Sequence, residues 1–174
     1  MNIETPRLRL RLWREADRDA FAALNADPEV ARDLGGPLSR ARSDTKLDRY
    51  VAAFDTHRFC RWAIEDRAGG FLGYAGVMPV ASEHPLGVHH EIGWRLKRDA
   101  WGHGYASEAA RAALDDIFAR VGLTEVLSYT APDNLRSQAV MERLGLKRDT
   151  TRDFVARYDG HPAWHGLVWA ARAV

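Results

Sequence analysis

The sequence predicts an α+β fold, with a mixed, mostly antiparallel central sheet and helices on both of its faces. Three observations predict it. Near the N-terminus, Leu8, Leu10 and Leu12 alternate with arginines, the period-two pattern of a half-buried strand. The apolar segments 59–65 and 71–77 flank the turn sequence DRAGG, which is typical of a β-hairpin. A long helical pattern then separates two further strand segments, so we expect those two strands to be parallel.

Two helices are predicted after the first strand. They cover residues 15–25 and 39–57, each with an apolar stripe at helical spacing. Between them, Pro28 and the sequence Gly35-Gly36-Pro37 interrupt the chain, because proline and glycine disfavour a helix interior.

The rest of the chain alternates between the period-two pattern of strands and the 3.6-residue pattern of helices. Beyond the hairpin, a strand is predicted over 90–96. A strong helix follows over 106–121, where apolar residues fit the i, i+3, i+4, i+7 template until Gly122 ends it. The remaining segments are predicted as a strand, a helix and two strands, at 125–130, 134–144, 147–158 and 163–171. The predicted order is β-α-α-β-β-β-α-β-α-β-β.

Composition predicts one domain over residues 1–174. The chain is 46% hydrophobic and 28% charged with a formal net charge of +1, so the charge balance favours no nucleic-acid partner. The single cysteine, Cys60, excludes an intramolecular disulfide and indicates a reducing compartment. No apolar run approaches the ~20 residues that span a bilayer, and no signal-peptide pattern begins the chain. We therefore expect a cytoplasmic protein with no membrane partner.

The segment WGHGYASEAA, residues 101–110, raises a question of hydrogen bonding. A helix usually begins after a Ser, Thr, Asp or Asn that caps its first amides. Here Gly102, His103 and Gly104 occupy the cap positions, and none of them offers a capping side-chain oxygen. Unpaired amides and the partial positive charge of a helix N-terminus favour an anion, most often a phosphate.

Two common phosphate-binding loops do not fit this segment. A Walker loop requires GxxxxGK[ST], and no lysine follows Gly104. A dinucleotide fingerprint requires GxGxxG, but its third position is Ser107, and no acidic residue ends a following strand at the usual distance. The short GxG loop of acyl-coenzyme A binding remains.

Three separated segments resemble the GNAT superfamily of N-acetyltransferases and, within it, the RimJ/RimL type of ribosomal-protein N-terminal acetyltransferase. They are ETPRLRLRLWREAD, EIGWRLKRDAWGHGYASEA and PDNLRSQAVMERLGLKRD. They occur in the family's order, and the resemblance runs from Glu4 to the end of the chain. It implies the acyl-CoA N-acyltransferase fold, in which the parallel strand pair is splayed, and acetyl-CoA as co-substrate.

The resemblance also implies a coenzyme site. Backbone amides of residues 102–107 would hold the pyrophosphate, and residues 94–96 would pair with the pantetheine arm like an added strand. Asn134 and Ser137 would contact the pantetheine and the region of its sulfur, although Asn134 is also a good helix N-cap by itself. The implied cofactor-binding residues are Trp94, Arg95, Leu96, Gly102, His103, Gly104, Tyr105, Ala106, Ser107, Asn134 and Ser137.

In the implied reaction, a neutral amine attacks the thioester carbonyl and a tetrahedral oxyanion forms. Glu91, on the strand that would carry the pantetheine, is the candidate general base. Backbone amides of residues 94–96 would stabilise the oxyanion. Ser137 or water would protonate the leaving thiolate, because Met141 stands where the family often has a tyrosine acid. The structural alternatives are a solvated strand residue for Glu91 and a helix-cap role for Ser137.

No metal site is predicted. His89 and His90 are neighbours on a strand, so their side chains point to opposite faces and do not easily bind one ion. His161 and His165 lack partner ligands at typical spacing. Cys60 has no obvious histidine partner and is predicted to be a buried thiol.

The sequence leaves the acceptor open. The resemblance implies a primary amine, on a protein N-terminus or a small molecule, handled by a monomer or a homodimer. A non-catalytic acyl-CoA sensor or scaffold on the same fold is the alternative function, against which the presence of both Glu91 and Ser137 argues mildly. Several acidic residues could attract a cationic acceptor or be solvated charges: Asp44, Asp48, Asp55, Glu83 and Asp153.

Overall fold

The structure, a computed structural model, describes residues 1–32, 35–157 and 163–173. These residues form nine strands. In chain order, β1 to β9 are Asn2–Glu4, Leu8–Arg11, Arg61–Asp66, Phe71–Val80, His89–Leu96, Glu125–Thr130, Lys147–Arg148, Phe154–Ala156 and Trp164–Arg172.

The same described residues form five α-helices. In chain order, α1 to α5 are Arg18–Ala26, Pro28–Ala31, Arg40–His57, Tyr105–Asp116 and Leu135–Arg143. A π-helical turn, Ile117–Val121, extends α4 until Gly122, whose φ of +79° ends the helix as predicted. Within the described ranges, no helix is both long enough and apolar enough to cross a membrane.

The strands form one mixed sheet in the order β1-β2-β3-β4-β5-β6-β9-β7, with β8 paired to β9. Every neighbouring pair is antiparallel except β5 and β6, which are parallel and share a single register pair, Glu91 with Leu127. Beyond that pair the two strands diverge. The predicted mixed fold class, including a splayed parallel pair, is confirmed.

Local patterns placed most elements correctly. Leu8 and Leu10 are fully buried, as the alternation at the N-terminus predicts. Helix α4 buries Ala109, Ala110 and Ala113, and these small side chains let it lie against β4 and β5. The short elements β1 and α2 were not predicted.

The prediction of one strand over residues 147–158 is wrong. A 3₁₀ turn, Thr150–Arg152, separates β7 from β8. Asp149 causes the break, because its carboxylate accepts hydrogen bonds from the backbone N–H and the hydroxyl of Thr151. Asp153 likewise accepts from the backbone N–H of Val168, at 3.0 Å. These side chains take the place of ladder hydrogen bonds. Residue 158 and His161 lie outside the described residues.

We expect Gly76→Ala to destabilise the protein by roughly 3 kcal/mol or more, the range of severe core substitutions. Gly76 has a φ of +150°, and a Cβ there would lie 2.2 Å from the carbonyl oxygen of Cys60, which immediately precedes the neighbouring strand β3. Gly69→Ala is the matched control, because Gly69 also has a positive φ but has no atom within 4 Å of an added Cβ. Strain alone would cost the control roughly 1–2 kcal/mol. Urea unfolding measures both, and equal losses would contradict this account.

Candidate active site

The N-terminus of α4 has no side-chain cap. Its N-cap residue, Gly104, has a φ of +78°, and Gly102 has a φ of +80°, so glycine suits both turns. Gly104 supplies no side-chain capping hydrogen bond to the helix. The first amides of α4 are therefore available to an anion, as the sequence predicts.

These amides face a cavity of about 730 Å³. The cavity lies between β5, the glycine loop and the starts of α4 and α5. Its walls include all eleven residues that the sequence analysis assigned to the coenzyme, and also Val30, Ala100, Trp101, Arg136, Val140 and Arg143. Glu91 is not among the lining residues.

Three cationic or ionisable side chains surround the mouth of the cavity. The guanidinium of Arg136 lies 3.9 Å from the ring centre of Trp101, and Arg143 donates to the Ser107 hydroxyl at 3.2 Å. His103 stacks on Tyr105. Arginines in such positions neutralise phosphate charge. Sequence reasoning missed Arg143, although it lies seven residues after Arg136 and so on the same face of α5.

Arg98 follows β5 closely in the sequence but does not flank this site. Arg98 does not line the cavity, and its Nε donates to Asp27 at 2.8 Å. Asp27 belongs to the turn that starts α2, where its other carboxylate oxygen accepts from the N–H of Glu29 and of Val30. The pair therefore fastens α2 to the loop after β5.

Helix α5 begins at the opposite wall of the cavity. The Asn134 side-chain oxygen accepts from the backbone N–H of Ser137 at 3.1 Å, so Asn134 performs the capping role that its sequence position predicts. Ser137 lines the cavity with its side chain one turn into the helix. Met141 is 1% exposed and belongs to the core, so this position of α5 supplies no proton donor.

Glu108 anchors the first turn of α4 to the N-terminal strands. Its carboxylate accepts from the Thr5 hydroxyl at 2.6 Å and from the backbone and Nε of Arg7 at 3.0 and 2.6 Å. Arg7 also donates to the carbonyl oxygen of His103 at 2.8 Å. The helix dipole alone would explain an acidic residue here, but these contacts add a second function. They hold the glycine loop against the turn between β1 and β2.

Glu91 forms an ion pair across three strands. The Arg61 guanidinium donates to Glu91 at 2.8 Å and also to the carbonyl oxygen of Gly76. The Arg61 side chain extends from β3 to β5 and passes over Gly76 and Gly93. A Cβ on Gly93 would lie 2.8 Å from the guanidinium. The Glu91 side chain is 22% exposed. Glu91 is thus a paired, partly buried carboxylate rather than the solvated strand residue that was the structural alternative, and its role as a general base stays a prediction.

The histidines within the described ranges and Cys60 show no metal-binding arrangement. The described part of the chain holds no group of three or more His, Cys, Asp or Glu side chains that could bind one ion. His89 lies 2.8 Å from the carbonyl oxygen of Gly87. Cys60 is buried, as predicted, and burial raises the pKa of its thiol to about 12. Such a thiol is unreactive at neutral pH.

We expect Glu108→Gln to destabilise the protein by about 1 kcal/mol at neutral pH. Burial acts to raise the pKa of Glu108, but hydrogen bonds from Thr5 and Arg7 outweigh it and hold this pKa below 4.5. The stabilisation is therefore complete above pH 4.5 and is lost as the pH falls through the lowered pKa. Urea unfolding at several pH values should show the difference from wild type shrinking in acid.

Glu142→Gln, at an exposed position of α5, is the control for that series and should match wild type at every pH. A difference between wild type and E108Q that stays constant down to the lowest pH with a folded protein would exclude a role for the Glu108 charge.

Comparison with known proteins agrees with this geometry. Residues 7–147 match the family model described as an acetyltransferase (GNAT) domain. The FsC-acetyl coenzyme A-N(2)-transacetylase of Aspergillus fumigatus is 30% identical over 168 residues, which cover 92% of this chain and 70% of that protein. The crystal structure of an acetyltransferase from Agrobacterium tumefaciens is 28% identical, with a TM-score of 0.84 over 99% of this chain and 95% of that one.

A structure of RimL, a ribosomal L7/L12 alpha-N-protein acetyltransferase in complex with coenzyme A, has a TM-score of 0.80 at 16% identity, over 99% of this chain and 98% of that one. At this identity the likeness is one of fold. The GNAT domain covers most of the chain and includes β5, the glycine loop, α4 and α5. The chain therefore belongs to the GNAT acetyltransferase family and is an acetyl-CoA-dependent N-acetyltransferase.

Proposed function

We propose that the protein transfers the acetyl group of acetyl-CoA directly to a primary amine while both are bound. The observation that carries this proposal is the uncapped N-terminus of α4, which faces the cavity beside the splay between β5 and β6. This arrangement offers an anion site at one end and exposed strand backbone at the other. A phosphorylated acyl carrier such as acetyl-CoA matches both.

The pyrophosphate would bind the backbone amides of residues 102–107, with Arg136 and Arg143 offsetting its charge. The pantetheine would lie along β5, where the edge toward β6 is open. Ser128 donates to the carbonyl oxygen of Ile92 at 3.0 Å, and the Trp101 indole donates to that of Leu96 at 2.9 Å.

Trp94 lies midway between those two occupied carbonyls. Because backbone direction alternates along a strand, its N–H and C=O point toward the same edge as the carbonyls of Ile92 and Leu96. No strand partner pairs with Trp94 on that side among the described residues. We assign the pantetheine contact and the oxyanion donor to this segment of β5.

The acceptor amine would lose its proton to Glu91, directly or through one water. The neutral nitrogen then attacks the thioester carbon and forms the C–N bond and a tetrahedral oxyanion. As the oxyanion collapses, the C–S bond breaks and the nitrogen, cationic after the attack, releases its second proton to water. The thiolate takes a proton from Ser137 or water. Arg61 fixes the orientation of the Glu91 carboxylate by the 2.8 Å ion pair.

Ser107→Asp tests the anion site. A carboxylate in the first turn of α4 favours the helix dipole, so the free protein should be as stable as wild type or more stable by ~0.3–1 kcal/mol. The same charge would repel the pyrophosphate and engage Arg143. We expect the Kd for coenzyme A, measured by calorimetry, to rise at least about tenfold, the loss of one charge-assisted interaction.

Ser107→Asn is the matched control, because it has nearly the same shape as Asp and no charge. Its Kd should stay within about threefold of wild type, on the scale of a neutral hydrogen bond. Equal coenzyme A affinity in S107D and wild type would overturn the anion site. Thermal unfolding with coenzyme A, NAD and ATP in parallel would show which ligand stabilises the protein, since 100 times the Kd adds ~2.7 kcal/mol.

Glu91→Gln and Ser137→Ala test the chemistry, with thiol release from acetyl-CoA as the assay and a panel of primary amines as acceptors. We expect kcat/KM of E91Q to fall ~10²–10⁴-fold, the usual contribution of a general base. S137A should lose less, because water can also protonate the thiolate. Coenzyme A affinity should be unchanged in E91Q. Full activity of E91Q would show that Glu91 only pairs with Arg61, and no thiol release by wild type with any amine would favour a sensor.

A further inference from the structure

Three basic side chains, here named the cation cluster, lie together between the sheet and the helices α1 and α3. They are Lys46 on α3, Arg61 on β3 and Arg95 on β5. Arg61 and Arg95 are each 6% exposed, and Lys46 is partly buried. Buried charges are normally paired with opposite charges, so each member of the cluster requires a partner.

Within the described ranges, Arg61 is the member that has a carboxylate partner. It pairs with Glu91 at 2.8 Å. Lys46 donates to the Tyr74 hydroxyl at 3.2 Å, and the Arg95 Nη1 donates to the side-chain oxygen of Asn25 at 2.5 Å. These acceptors are a phenol and an amide. Among the residues in the structure's described ranges, neither Lys46 nor Arg95 has a carboxylate in ion-pair contact.

Arg95 is also incompletely hydrogen-bonded. Its Nε is buried and has no partner among the described residues, whereas Asn25 occupies only Nη1. Arg95 lines the same cavity as the proposed coenzyme site. A buried guanidinium with an unused donor beside a cavity is suited to bind an anion, because guanidinium groups bind carboxylates through paired N–H donors.

The pKa of the Tyr74 phenol reflects the positive charge of the cation cluster. Burial by itself would raise the pKa of the Tyr74 phenol, yet the positive charges of Arg95, Lys46 and Arg61 outweigh burial and hold this pKa below its ordinary value. Burial lowers the pKa of Lys46, the Tyr74 phenol acts to raise it, and the charges of Arg95 and Arg61 act to lower it. The described residues therefore place three cations around one phenol.

We infer that the acceptor is a small amine that also carries a carboxylate, and that Arg95 and Lys46 bind this carboxylate. The inference rests on the proposed transferase function. Glu91, Gly93 and Arg95 alternate along β5 and share one face of the sheet. A molecule with an ammonium group near Glu91 and a carboxylate near Arg95 matches this order of charges, which is the charge pattern of an amino acid.

A polycationic acceptor matches the structure less well. Three of the acidic residues that could attract one, Asp44, Asp48 and Asp153, are already paired with arginines. Arg18 contacts Asp48 at 2.7 Å, and Arg40 contacts Asp44 at 2.9 Å. Asp153, between the 3₁₀ turn and β8, pairs with Arg148 at 2.5 Å.

The test is equilibrium binding to the protein saturated with coenzyme A, which needs no turnover. The probes are the common α-amino acids, β-alanine and γ-aminobutyrate, each beside its carboxamide, together with short peptides amidated at the C-terminus. We expect one or more acids to bind about tenfold or more tightly than the matching amide, the scale of a charge-assisted hydrogen bond. Arg95→Gln and Lys46→Gln should each reduce this preference to less than about threefold.

Arg49→Gln is the matched control, because Arg49 is an exposed basic residue of α3 near Lys46 and should leave the preference unchanged. Lys46→Gln keeps the test decisive if Arg95→Gln does not fold. The inference is overturned if amides or amidated peptides bind as well as the acids, or if the preference survives in both variants.

Thiol release from acetyl-CoA, measured on the same probes, reports separately on the proposed function. Acid-selective binding without thiol release would support the carboxylate site and exclude the transferase. Thiol release with amides and acids alike would support the transferase and overturn the carboxylate site.

Discussion

The separation of β5 from β6 is the constraint on which the rest of the site depends. Two parallel strands that share one register pair cannot satisfy each other's backbone groups along their whole length. The structure supplies substitutes at the ends of the gap, from Ser128 and from the indole of Trp101. Between them, the Trp94 backbone remains available to a ligand. The splay thus converts part of a sheet interior into a binding edge.

The second element of the site is the start of α4, and its position is held from outside the helix. Glu108 connects it to Thr5 and Arg7 in the turn between the first two strands. The N-terminus of α4 is therefore fixed relative to the turn between β1 and β2 by one carboxylate with several donors.

Two buried arginines, Arg11 and Arg95, differ in the charge of their hydrogen-bond partners. Arg11 is 4% exposed and is fully compensated, since it bonds both carboxylate oxygens of Asp17 at 2.7 and 2.8 Å and Glu65 at 2.5 Å. Arg95 is almost as buried, and within the described part of the chain its guanidinium donates to an amide oxygen alone. Because unpaired buried charge is costly, the difference between these two arginines supports the proposed role of Arg95 in binding a carboxylate.

The sequence alone determined most of the elements and the uncapped glycine loop before α4, because both depend on local patterns. Each of these patterns lies within a short stretch of sequence: the alternation at Leu8 and Leu10, the apolar stripe of α4, and the glycines that precede α4 without a capping residue. Tertiary structure decided the charge partners, since these are distant in sequence. Glu91 lies 30 residues from Arg61, and Glu108 lies 101 residues from Arg7. No local pattern encodes whether Arg95 meets a carboxylate or the amide of Asn25, because only packing of α1 onto β5 brings those groups together.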